Sequence, residues 1–538
     1  MLAPPLSSPA MSVRAFLSAL VLLPHCLLAQ RLPVDPAGVP GTRLLAGGGK
    51  LPDAIYEQFL ALAGGAPNAR IVLMPTASRT MDEAGERDKL LERWRTAHPG
   101  LRFEVLHTRD RREADSEAFT APLRTATGVW LGGGAQKNLA EAYVGTRVER
   151  ELQALLARGG VVGGTSAGTA IQTRTMIESG KEDPIVATGF DFVPFAISDQ
   201  HFLKRQRLPR LLQVLGEQPG HFGIGVDEGT AVLISGRSLR VLGDSKALLV
   251  LAASAGQPQR IVELASGAEA DLVTWQRAAR DRAAPLATTT PPPTPVVPNG
   301  SLVIVGGGRI PESIARRFVE LAGGARAKVV LIPSAMPREG RAADPFRRQL
   351  ERLGVTDLQE LDCSHPREVT PEKVSVLTSA TAVWFGGGRQ WRLVDAFEGT
   401  PAVAALHAVL ARGGVIGGSS AGATIQGDFL VRGNPLGNTE MWCEGYDRGF
   451  GFLPGVAIDQ HFVARNREPD LLALVTRAPW LIGLGIDEGT AAIVRGSVLE
   501  VLGDSKLAVV DGPRGAGAPT TVWLAAGEHW DLAAGKRP

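Results

Sequence analysis

The chain has 538 residues, more than one domain usually contains, so its length favours at least two domains. The 57 Lys and Arg residues nearly balance the 55 Asp and Glu residues, and no continuous basic run occurs. This balance argues against nucleic acid or an anionic membrane surface as a partner.

The first 30 residues have the pattern of an export signal. Arg14 precedes an apolar stretch over residues 15–23, and Leu27, Leu28 and Ala29 provide a cleavage site before Gln30. The apolar stretch is too short to span a bilayer. We therefore expect residues 1–29 to be a signal peptide and the chain to be exported, to the periplasm or the medium. A misassigned start codon or a buried N-terminal helix is the alternative.

The rest of the chain contains one domain twice, here called copy one and copy two. The string VWLGGG beginning at Val129 returns as VWFGGG at Val383, and DQHF at Asp199 returns at Asp459. The offset is far longer than the ~20–50-residue period of a solenoid repeat. The sequence therefore predicts a whole-domain duplication, with copy one over residues 40–280 and copy two over residues 300–535.

A segment rich in proline and threonine, residues 283–299, separates the two copies. This composition favours an extended polyproline-II spacer. We expect the spacer to hold the two folded copies apart, although the sequence leaves open whether they pair.

Each copy alternates short apolar strands with amphipathic helices. In copy one, strands are predicted at 42–46, 71–74, 105–107, 129–131 and 161–162, and helices at 54–63, 89–97 and 148–157. This alternation predicts an α/β fold whose mostly parallel sheet has helices on both faces and ligands at the carboxyl ends of its strands. Towards the end of the copy, segments 231–234, 239–241 and 247–251 predict antiparallel hairpins.

Glycine triplets follow the first strand of each copy, at residues 47–49 and 306–308. They do not meet the GxGxxG spacing of a dinucleotide site. We interpret them as turns at which the backbone approaches another part of the fold closely.

A serine flanked by small residues follows a strand in each copy, at Ser166 and Ser420. Small neighbours permit a sharp strand-to-helix turn that exposes the hydroxyl as a nucleophile. An ordinary tight strand–helix junction is the alternative, but the recurrence of other polar strings with the serine favours a serine hydrolase.

A serine nucleophile needs a base and an acid that orients the base. His201 and His461 are the histidines that occupy matching polar positions in the two copies. Glu228 and Glu488 follow them, next to Asp227 and Asp487. Because side chains alternate along a strand, only one acid of each pair can face the histidine, and the sequence does not say which.

Acyl transfer also needs backbone donors for the developing oxyanion. The amides of Ala167 and Ala421, directly after the serines, are one candidate in each copy. The other lies in the glycine triplets centred on Gly133 and Gly387. Gln136 and Gln390 come two residues after these triplets, where they are expected to touch a ligand.

Taken together, the ordered strings resemble the cyanophycinases of serine peptidase family S51, over nearly all of both copies. The resemblance implies a fold similar to class I glutamine amidotransferases, of flavodoxin-like type. It also implies two Ser-His-Glu triads: Ser166, His201 and Glu228, and Ser420, His461 and Glu488. It further implies that substrate-binding residues line each pocket: Gln136, Asp199, Gln200, Arg205, Arg207 and Arg210 in copy one, and Gln390, Asp459, Gln460, Arg465 and Arg467 in copy two.

The implied substrate is cyanophycin, a poly-aspartate backbone that carries arginine on each side-chain carboxyl, and the implied products are β-aspartyl-arginine dipeptides. Arginines suit its carboxylates, and Asp199 or Asp459 suits its guanidinium. No cofactor or metal is expected. A dipeptidase of the same family acting on short α-aspartyl or isoaspartyl peptides is one alternative. A polymer-binding protein with an inactive copy is another.

The two copies differ at the start of one predicted helix, where copy one has Arg210 and copy two has Asp470. An acid is favoured near a helix N-terminus, so the cation in copy one is locally unfavourable. We therefore expect Arg210 to bind substrate carboxylates and copy two to bind the polymer more weakly or with altered preference. Whether Cys363 and Cys443, both in copy two, form a disulfide is left open.

Overall fold

The structure is a computed structural model that describes residues 33–284, 293–340, 345–512 and 518–538. The predicted signal peptide lies outside the described residues, as does the middle of the predicted linker, residues 285–292. Within the described ranges, no single helix has the length and apolarity to cross a membrane. One bent pair, Gln390–Phe397 with Pro401–Ala411, meets both criteria when its members are taken together, at an angle of 106°.

The elements of copy one alternate between strand and helix up to the serine turn and are then mostly strands. In chain order they are β1 (Val39–Ala46), α1 (Asp53–Leu62), β2 (Arg70–Met74), α2 (Glu86–Ala97), β3 (Arg102–Val105), α3 (Arg111–Ala114), α4 (Glu117–Thr125), β4 (Gly128–Leu131), α5 (Gln136–Tyr143), α6 (Arg147–Ala157), β5 (Val161–Thr165), α7 (Ala167–Ala170), β6 (Thr175–Ser179), β7 (Ile185–Thr188), β8 (Ala196–Gln200), α8 (Leu208–Glu217), β9 (Phe222–Val226), β10 (Thr230–Gly236), β11 (Ser238–Gly243), β12 (Lys246–Leu251), β13 (Arg260–Ala265), β14 (Glu269–Asp271) and α9 (Leu272–Ala283).

Copy two repeats most of this order. Its elements are β15 (Val297–Val305), α10 (Glu312–Leu321), β16 (Lys328–Ile332), α11 (Pro345–Arg352), β17 (Asp357–Glu360), α12 (Pro371–Ser375), β18 (Ala382–Phe385), α13 (Gln390–Phe397), α14 (Pro401–Ala411), β19 (Val415–Ser419), α15 (Ala421–Thr424), β20 (Gly427–Phe429), β21 (Leu453–Gln460), α16 (Glu468–Arg477), β22 (Ile482–Ile486), β23 (Thr490–Gly496), β24 (Val498–Gly503), β25 (Lys506–Asp511), β26 (Thr520–Ala525) and β27 (His529–Asp531).

Each copy is built on an eight-stranded mixed sheet, which confirms the predicted α/β class. In copy one the strand order is β14-β11-β10-β1-β5-β4-β2-β3, and copy two has the order β17-β16-β18-β19-β15-β23-β24-β27. Strands β1, β5, β4, β2 and β3 are parallel, whereas β10, β11 and β14 are antiparallel. The parallel part places the carboxyl ends of β1, β4 and β5 at one edge, where the serine turn lies.

A second, smaller sheet in each copy was not predicted. In copy one its order is β13-β12-β9-β8, and in copy two it is β20-β21-β22-β25-β26. The predicted β10–β11 hairpin is present, but β12 leaves the main sheet and pairs with β9 and β13. Since β8 and β9 are parallel, their carboxyl ends also lie together.

The core of copy one forms two layers around the main sheet. On one face, Phe59 of α1 and Trp94 of α2 pack against the sheet. On the other face, Leu152 and Leu155 of α6 pack against it. The second sheet packs over the antiparallel end of the main sheet, through strands β9, β10, β11 and β12. Helices therefore cover both faces only along the parallel half.

One predicted strand is misplaced. Residues 105–107 were expected to be extended, but β3 spans Arg102–Val105 and pairs with β2. His107 instead lies in the turn that follows, where its Nδ1 is 2.8 Å from the Thr76 hydroxyl oxygen. Its polar partners hold the ring at the end of the strand rather than within the sheet.

The two copies pack against each other, contrary to the expected spacer. Val34 and Val273 of copy one belong to the same apolar cluster as the core of copy two. The predicted linker also joins the fold at its end, because Pro295 is buried and β15 begins at Val297. The pairing left open by the sequence is therefore present in the structure.

A buried ionic network forms the polar part of this contact. Arg237 of copy one donates to Asp271 at 2.8 and 3.0 Å, to the Tyr446 hydroxyl at 2.9 Å and to Asp395 of copy two. Tyr446 donates to Asp395 at 2.7 Å. Burial raises the pKa of Asp395, and the neighbouring cations Arg237 and Arg277 oppose that rise. The carboxylate and the two arginines are thus mutually dependent.

Helix α9 supplies further cations to the same contact. Arg277 donates to the Gly445 carbonyl at 2.9 Å and to Glu398, and Arg282 pairs with Glu444.

Cys363 and Cys443 of copy two are both free and buried, so the structure contains no bridge between them.

Candidate active sites

The nucleophile turn is strained in both copies. Ser166 has φ 52° and ψ −108°, and Ser420 has φ 56° and ψ −111°, values that a residue other than glycine rarely adopts. The turn is tight because Gly168 lies against the end of β4, where a Cβ would come within 2.2 Å of the Leu131 carbonyl oxygen. The small neighbours of the serine therefore permit the turn that exposes its hydroxyl.

The second sheet brings a histidine to each serine. His201 follows β8, and its Nε2 lies 2.9 Å from the Ser166 Oγ. In copy two the distance between His461 Nε2 and Ser420 Oγ is 3.0 Å. The base and the nucleophile thus come from different sheets, and they meet where the carboxyl ends of both sheets converge.

The acid beside each histidine is the glutamate. His201 Nδ1 lies 2.6 Å from Glu228 Oε1, and His461 Nδ1 lies 2.5 Å from Glu488 Oε1. A neutral histidine whose Nδ1–H donates to this carboxylate has its Nε2 lone pair facing the serine. Both histidines therefore have the tautomer and orientation that a general base needs.

The neighbouring aspartates have a different task. Asp227 accepts hydrogen bonds from the amides of Leu203 and Lys204, at 3.1 and 3.0 Å, and from the Ser245 hydroxyl at 2.9 Å. Asp487 accepts the equivalent set in copy two. Burial works to raise the pKa of Asp227, but these hydrogen bonds outweigh it and lower the pKa. The aspartate fixes the turn that carries the histidine, while the glutamate contacts the ring.

The first glycine triplet of each copy makes room for the triad. A Cβ at Gly48 would lie 2.4 Å from His201 Cε1, and one at Gly49 would lie 2.9 Å from Glu228 Oε2. Gly307 and Gly308 stand in the same relation to His461 and Glu488. The triplets are therefore close-approach turns, as interpreted from the sequence, and the side chains that approach them are the histidine and the glutamate.

The environment lowers the pKa of both histidines. For His201, burial is the largest cause of the lowering; the hydrogen bond to Glu228 works to raise the pKa, and the Arg205 and Arg207 cations lower it further. For His461, burial again dominates, with Glu488 opposing and Arg465 and Arg467 adding to the lowering. The neutral form that accepts a proton therefore persists to lower pH than in a free histidine.

The predicted oxyanion donors surround the serine. Ala167 and Ala421 begin the short helices α7 and α15, so their amides have no acceptor within the helix. Gly133 lies beside Ser166, since a Cβ built on it would be 3.5 Å from the serine Cβ. A Cβ built on Gly387 would be 3.6 Å from the Cβ of Ser420. Their role in binding an oxyanion stays a prediction.

An open cavity of about 820 Å³ lies next to Ser166. Its lining includes five of the residues predicted to line the pocket: Gln136, Gln200, Arg205, Arg207 and Arg210. Two exposed lysines, Lys181 and Lys204, also line it. Sequence reasoning missed them because it relied on duplication, and copy two has Ala464 where copy one has Lys204.

The aspartates expected to bind a guanidinium are not accessible. Asp199 is 0% exposed and pairs with Arg207 at 3.2 Å and with Arg210. Asp459 is likewise fully buried and pairs with Arg432 and Arg467. These predictions were wrong because the guanidinium that each carboxylate binds belongs to the protein itself.

The arginines beside these carboxylates are correspondingly occupied. Arg210 is 5% exposed and donates from Nε to Asp199 at 2.7 Å and from Nη1 to the Gly180 carbonyl at 2.6 Å. Its predicted role as a binder of substrate carboxylates is therefore corrected to that of a buried counterion. Arg467 is also buried and donates to Asp459 and to Gln460.

The predicted glutamines hold the wall of the pocket. Gln136 Nε2 donates to the carbonyls of Ile177 and Glu178, at 2.9 and 2.7 Å. Gln390 makes the same pair of bonds to Val431 and Arg432, at 2.8 Å each, and is itself buried. Their amide groups position the chain between the serine and the histidine.

Among the remaining predicted residues, Gln460 is buried and Arg465 is exposed.

Comparison with known proteins agrees with this architecture. The sequence profile described as Peptidase family S51 matches residues 44–242 and again residues 302–502. A cyanophycinase of Geminocystis herdmanii is 31% identical over 39% of this chain and 80% of the relative. A cyanophycinase of Nostoc sp. is 30% identical over 40% of this chain and 76% of the relative.

Two solved structures also resemble the chain. A peptidase from an acI-B1 Actinobacterium is 25% identical, with a TM-score of 0.34, and the match covers 43% of this chain and 97% of that one. A putative peptidase E of Listeria monocytogenes is 19% identical, with a TM-score of 0.31, over 38% of this chain and 99% of that one.

Both copies are thus α/β domains of a serine-type peptidase. The chain belongs to peptidase family S51, with the family domain present in tandem.

Proposed function

We propose that the chain is an exported hydrolase that cleaves cyanophycin, multi-L-arginyl-poly-L-aspartate, to β-aspartyl-arginine dipeptides by a Ser-His-Glu mechanism. The observation that carries the proposal is the complete hydrogen-bonded triad at a strained serine in each copy, with an open cavity beside Ser166 of copy one. The curated relatives that bear the name cyanophycinase support the choice of substrate.

In the proposed reaction, Ser166 Oγ attacks the scissile carbonyl while His201 Nε2 takes its proton. Glu228 stabilises the resulting imidazolium, and the amides near Ala167 and Gly133 bind the oxyanion. His201 then protonates the leaving amine. Water, deprotonated by the same histidine, hydrolyses the acyl-enzyme and restores the serine. Ser420, His461 and Glu488 perform the same steps in copy two.

The charge of the copy-one cavity supports a substrate that carries many free carboxylates. Lys181, Lys204 and Arg205 are exposed on its lining, and no acidic partner engages them among the described residues. A substrate that bears a free carboxylate on every repeating unit would meet several of these cations at once. The cations thereby replace Asp199 and Arg210 as the residues proposed to select the substrate.

The purified full-length chain incubated with insoluble cyanophycin, and separately with aspartyl and isoaspartyl dipeptides, tests the proposal. Mass spectrometry should identify β-aspartyl-arginine released from the polymer. Cleavage of the dipeptides alone would instead identify a short-peptide hydrolase. Binding to the polymer without release of any product would identify a polymer-binding protein. A chelator should leave the rate unchanged.

Export is proposed on the pattern of residues 1–29 alone. N-terminal sequencing of the protein recovered from periplasm and medium tests it, and an N-terminus at Gln30 is the expected result. A chain that retains Met1 and stays in the cytoplasm would contradict it.

A further inference from the structure

A second cavity, of about 610 Å³, is lined in part by the glycine triplet that borders Ser166. Gly132, Gly133 and Thr165 line it, and Thr165 directly precedes the nucleophile. Gly133 lies beside the serine and also lines this cavity, so the cavity neighbours the triad. The triad does not use this cavity.

Three aromatic rings contribute to its apolar lining. Tyr56 lies 5.5 Å from Trp94 and 5.2 Å from Trp130, measured between ring centroids, and the two tryptophans are 6.0 Å apart. Trp94 and Trp130 are nearly buried within the protein, while Tyr56 is partly exposed. The exposed part of Tyr56, backed by the two tryptophans, is a surface on which a planar cation or an aliphatic stem can bind.

Charged groups of both signs line the same cavity. Asp53 and Glu57, one helical turn apart on α1, are exposed and form no ion pair in the part of the chain that the structure describes. Arg93 of α2 stands near them. Burial is the main cause that raises the pKa of Tyr56. The Arg93 cation works to lower this pKa and the Asp53 carboxylate works to raise it, so both charged groups lie near the Tyr56 hydroxyl. A ligand that carries both a cation and a carboxylate could form ion pairs with the two acids and with Arg93.

In copy two, packed side chains occupy the region that corresponds to this cavity. Phe346 stacks on Trp384 with ring centroids 3.8 Å apart, and Trp384 is 1% exposed. The positions of Tyr56 and Glu57 are occupied by Ala315 and Arg316, and Arg316 pairs with Glu312. The aromatic wall and the free carboxylate are therefore features of copy one.

We infer that this cavity is a subsite of copy one for an arginine unit of the substrate, held one or more units away from the scissile bond. An arginine attached through its α-amine keeps a free guanidinium and a free carboxylate. The guanidinium meets the aromatic rings and the carboxylates of Asp53 and Glu57, and the carboxylate meets Arg93. The inference rests on the proposed function for the identity of the polymer.

A binding assay separates the subsite from the activity. The probe is Nα-acetyl-L-arginine, added to the full chain carrying Ser166→Ala and Ser420→Ala, with binding followed by calorimetry. Tyr56→Ala with Glu57→Arg, which introduces the residues of copy two, should weaken binding by about tenfold or more. Arg316→Glu in copy two is the matched control and should leave the dissociation constant unchanged. Glu57→Gln removes only the charge of an exposed side chain, and it should also weaken binding of the probe.

Kinetics on the polymer provide the second readout. In the chain carrying Ser420→Ala, Tyr56→Ala with Glu57→Arg should raise KM about fivefold while kcat stays within about twofold, because the contacts lie away from the reacting bond. Unchanged KM and unchanged probe binding would overturn the subsite, as would equal binding of Nα-acetyl-L-norleucine. If the probe binds through Tyr56 and Glu57 but cyanophycin is not cleaved, the subsite stands and the proposed substrate fails.

Discussion

Arg432 donates to both carboxylate oxygens of Asp459, at 3.0 and 2.9 Å, and so neutralises a carboxylate that has no contact with solvent. In copy one the equivalent Asp199 receives this paired bond from Arg210, on helix α8. The position of Arg432 is held in copy one by Glu178, because Gln136 and Gln390 bind the two backbones identically. Each copy therefore contains the same buried Arg–Asp pair, but the arginine comes from position 210 in copy one and from position 432 in copy two.

Exchange of the charges in copy one should reproduce the arrangement of copy two. Arg210→Asp removes a partner from a buried carboxylate and should cost about 3–5 kcal/mol of unfolding free energy. Glu178→Arg added to Arg210→Asp should recover most of that loss. Chemical denaturation of the three chains measures it. A double variant no more stable than Arg210→Asp would show that the two positions are not exchangeable.

The acid limb of the activity should reflect the lowered pKa of His201. The rate should fall as the histidine becomes protonated, with a midpoint below the ordinary value of about 6.5. Arg205→Gln removes a cation that lowers this pKa, so the midpoint of kcat/KM should move to higher pH, while Arg205→Lys should leave it in place. Profiles recorded in the chain carrying Ser420→Ala isolate copy one. A rate that stays flat from about pH 4 to 9 would exclude a histidine base.

Gly48 should tolerate no side chain, because the space for a Cβ is occupied by the His201 ring. Gly48→Ala in the Ser420→Ala chain should reduce copy-one activity by about 10²-fold or more through displacement of the base. Gly159→Ala is the control, since Gly159 also has positive φ but a Cβ there would meet nothing within 4 Å. Equal losses in the two variants would mean that backbone strain, not the histidine contact, limits this position.

Asp395 should contribute to the stability of the whole chain. Asp395→Ala leaves Arg237 and Arg277 without their shared carboxylate, at an expected cost of about 3–5 kcal/mol. Glu141 is the equivalent residue of copy one and forms an exposed pair with Lys137, so Glu141→Ala should cost about 0.3–0.5 kcal/mol. Denaturation of both variants makes the comparison. Similar small costs would show that the contact between the copies contributes little.

The sequence predicted those parts of the fold that are local or repeated. The β1, β2, β4 and β5 strands were readable as apolar runs between helices, and the serine and histidine as polar strings that recur. The second sheet was not predicted because β8 is buried at every position, so it has no alternation, and its partner β9 lies beyond a helix.

The residues alone left the choice between Asp227 and Glu228 open, since both lie in the same turn and differ only in what surrounds them. The family resemblance implied the glutamate, and the structure places Glu228 beside the histidine. Arg210 was misread for a related reason. Its position at a helix start is unfavourable when considered locally, but its counterion Asp199 comes from another element. The network around Arg237 was missed because its residues do not recur, as copy two has Ser497 at that position.

The most direct test uses the full chain carrying both Ser166→Ala and Ser420→Ala, with each single variant and the wild type beside it. With cyanophycin as substrate, each single variant should still release β-aspartyl-arginine, and the double variant should be slower than wild type by about 10⁴-fold or more. Mass spectrometry of the released products measures all four rates. Release by the double variant at a rate near wild type would contradict serine catalysis by the two triads.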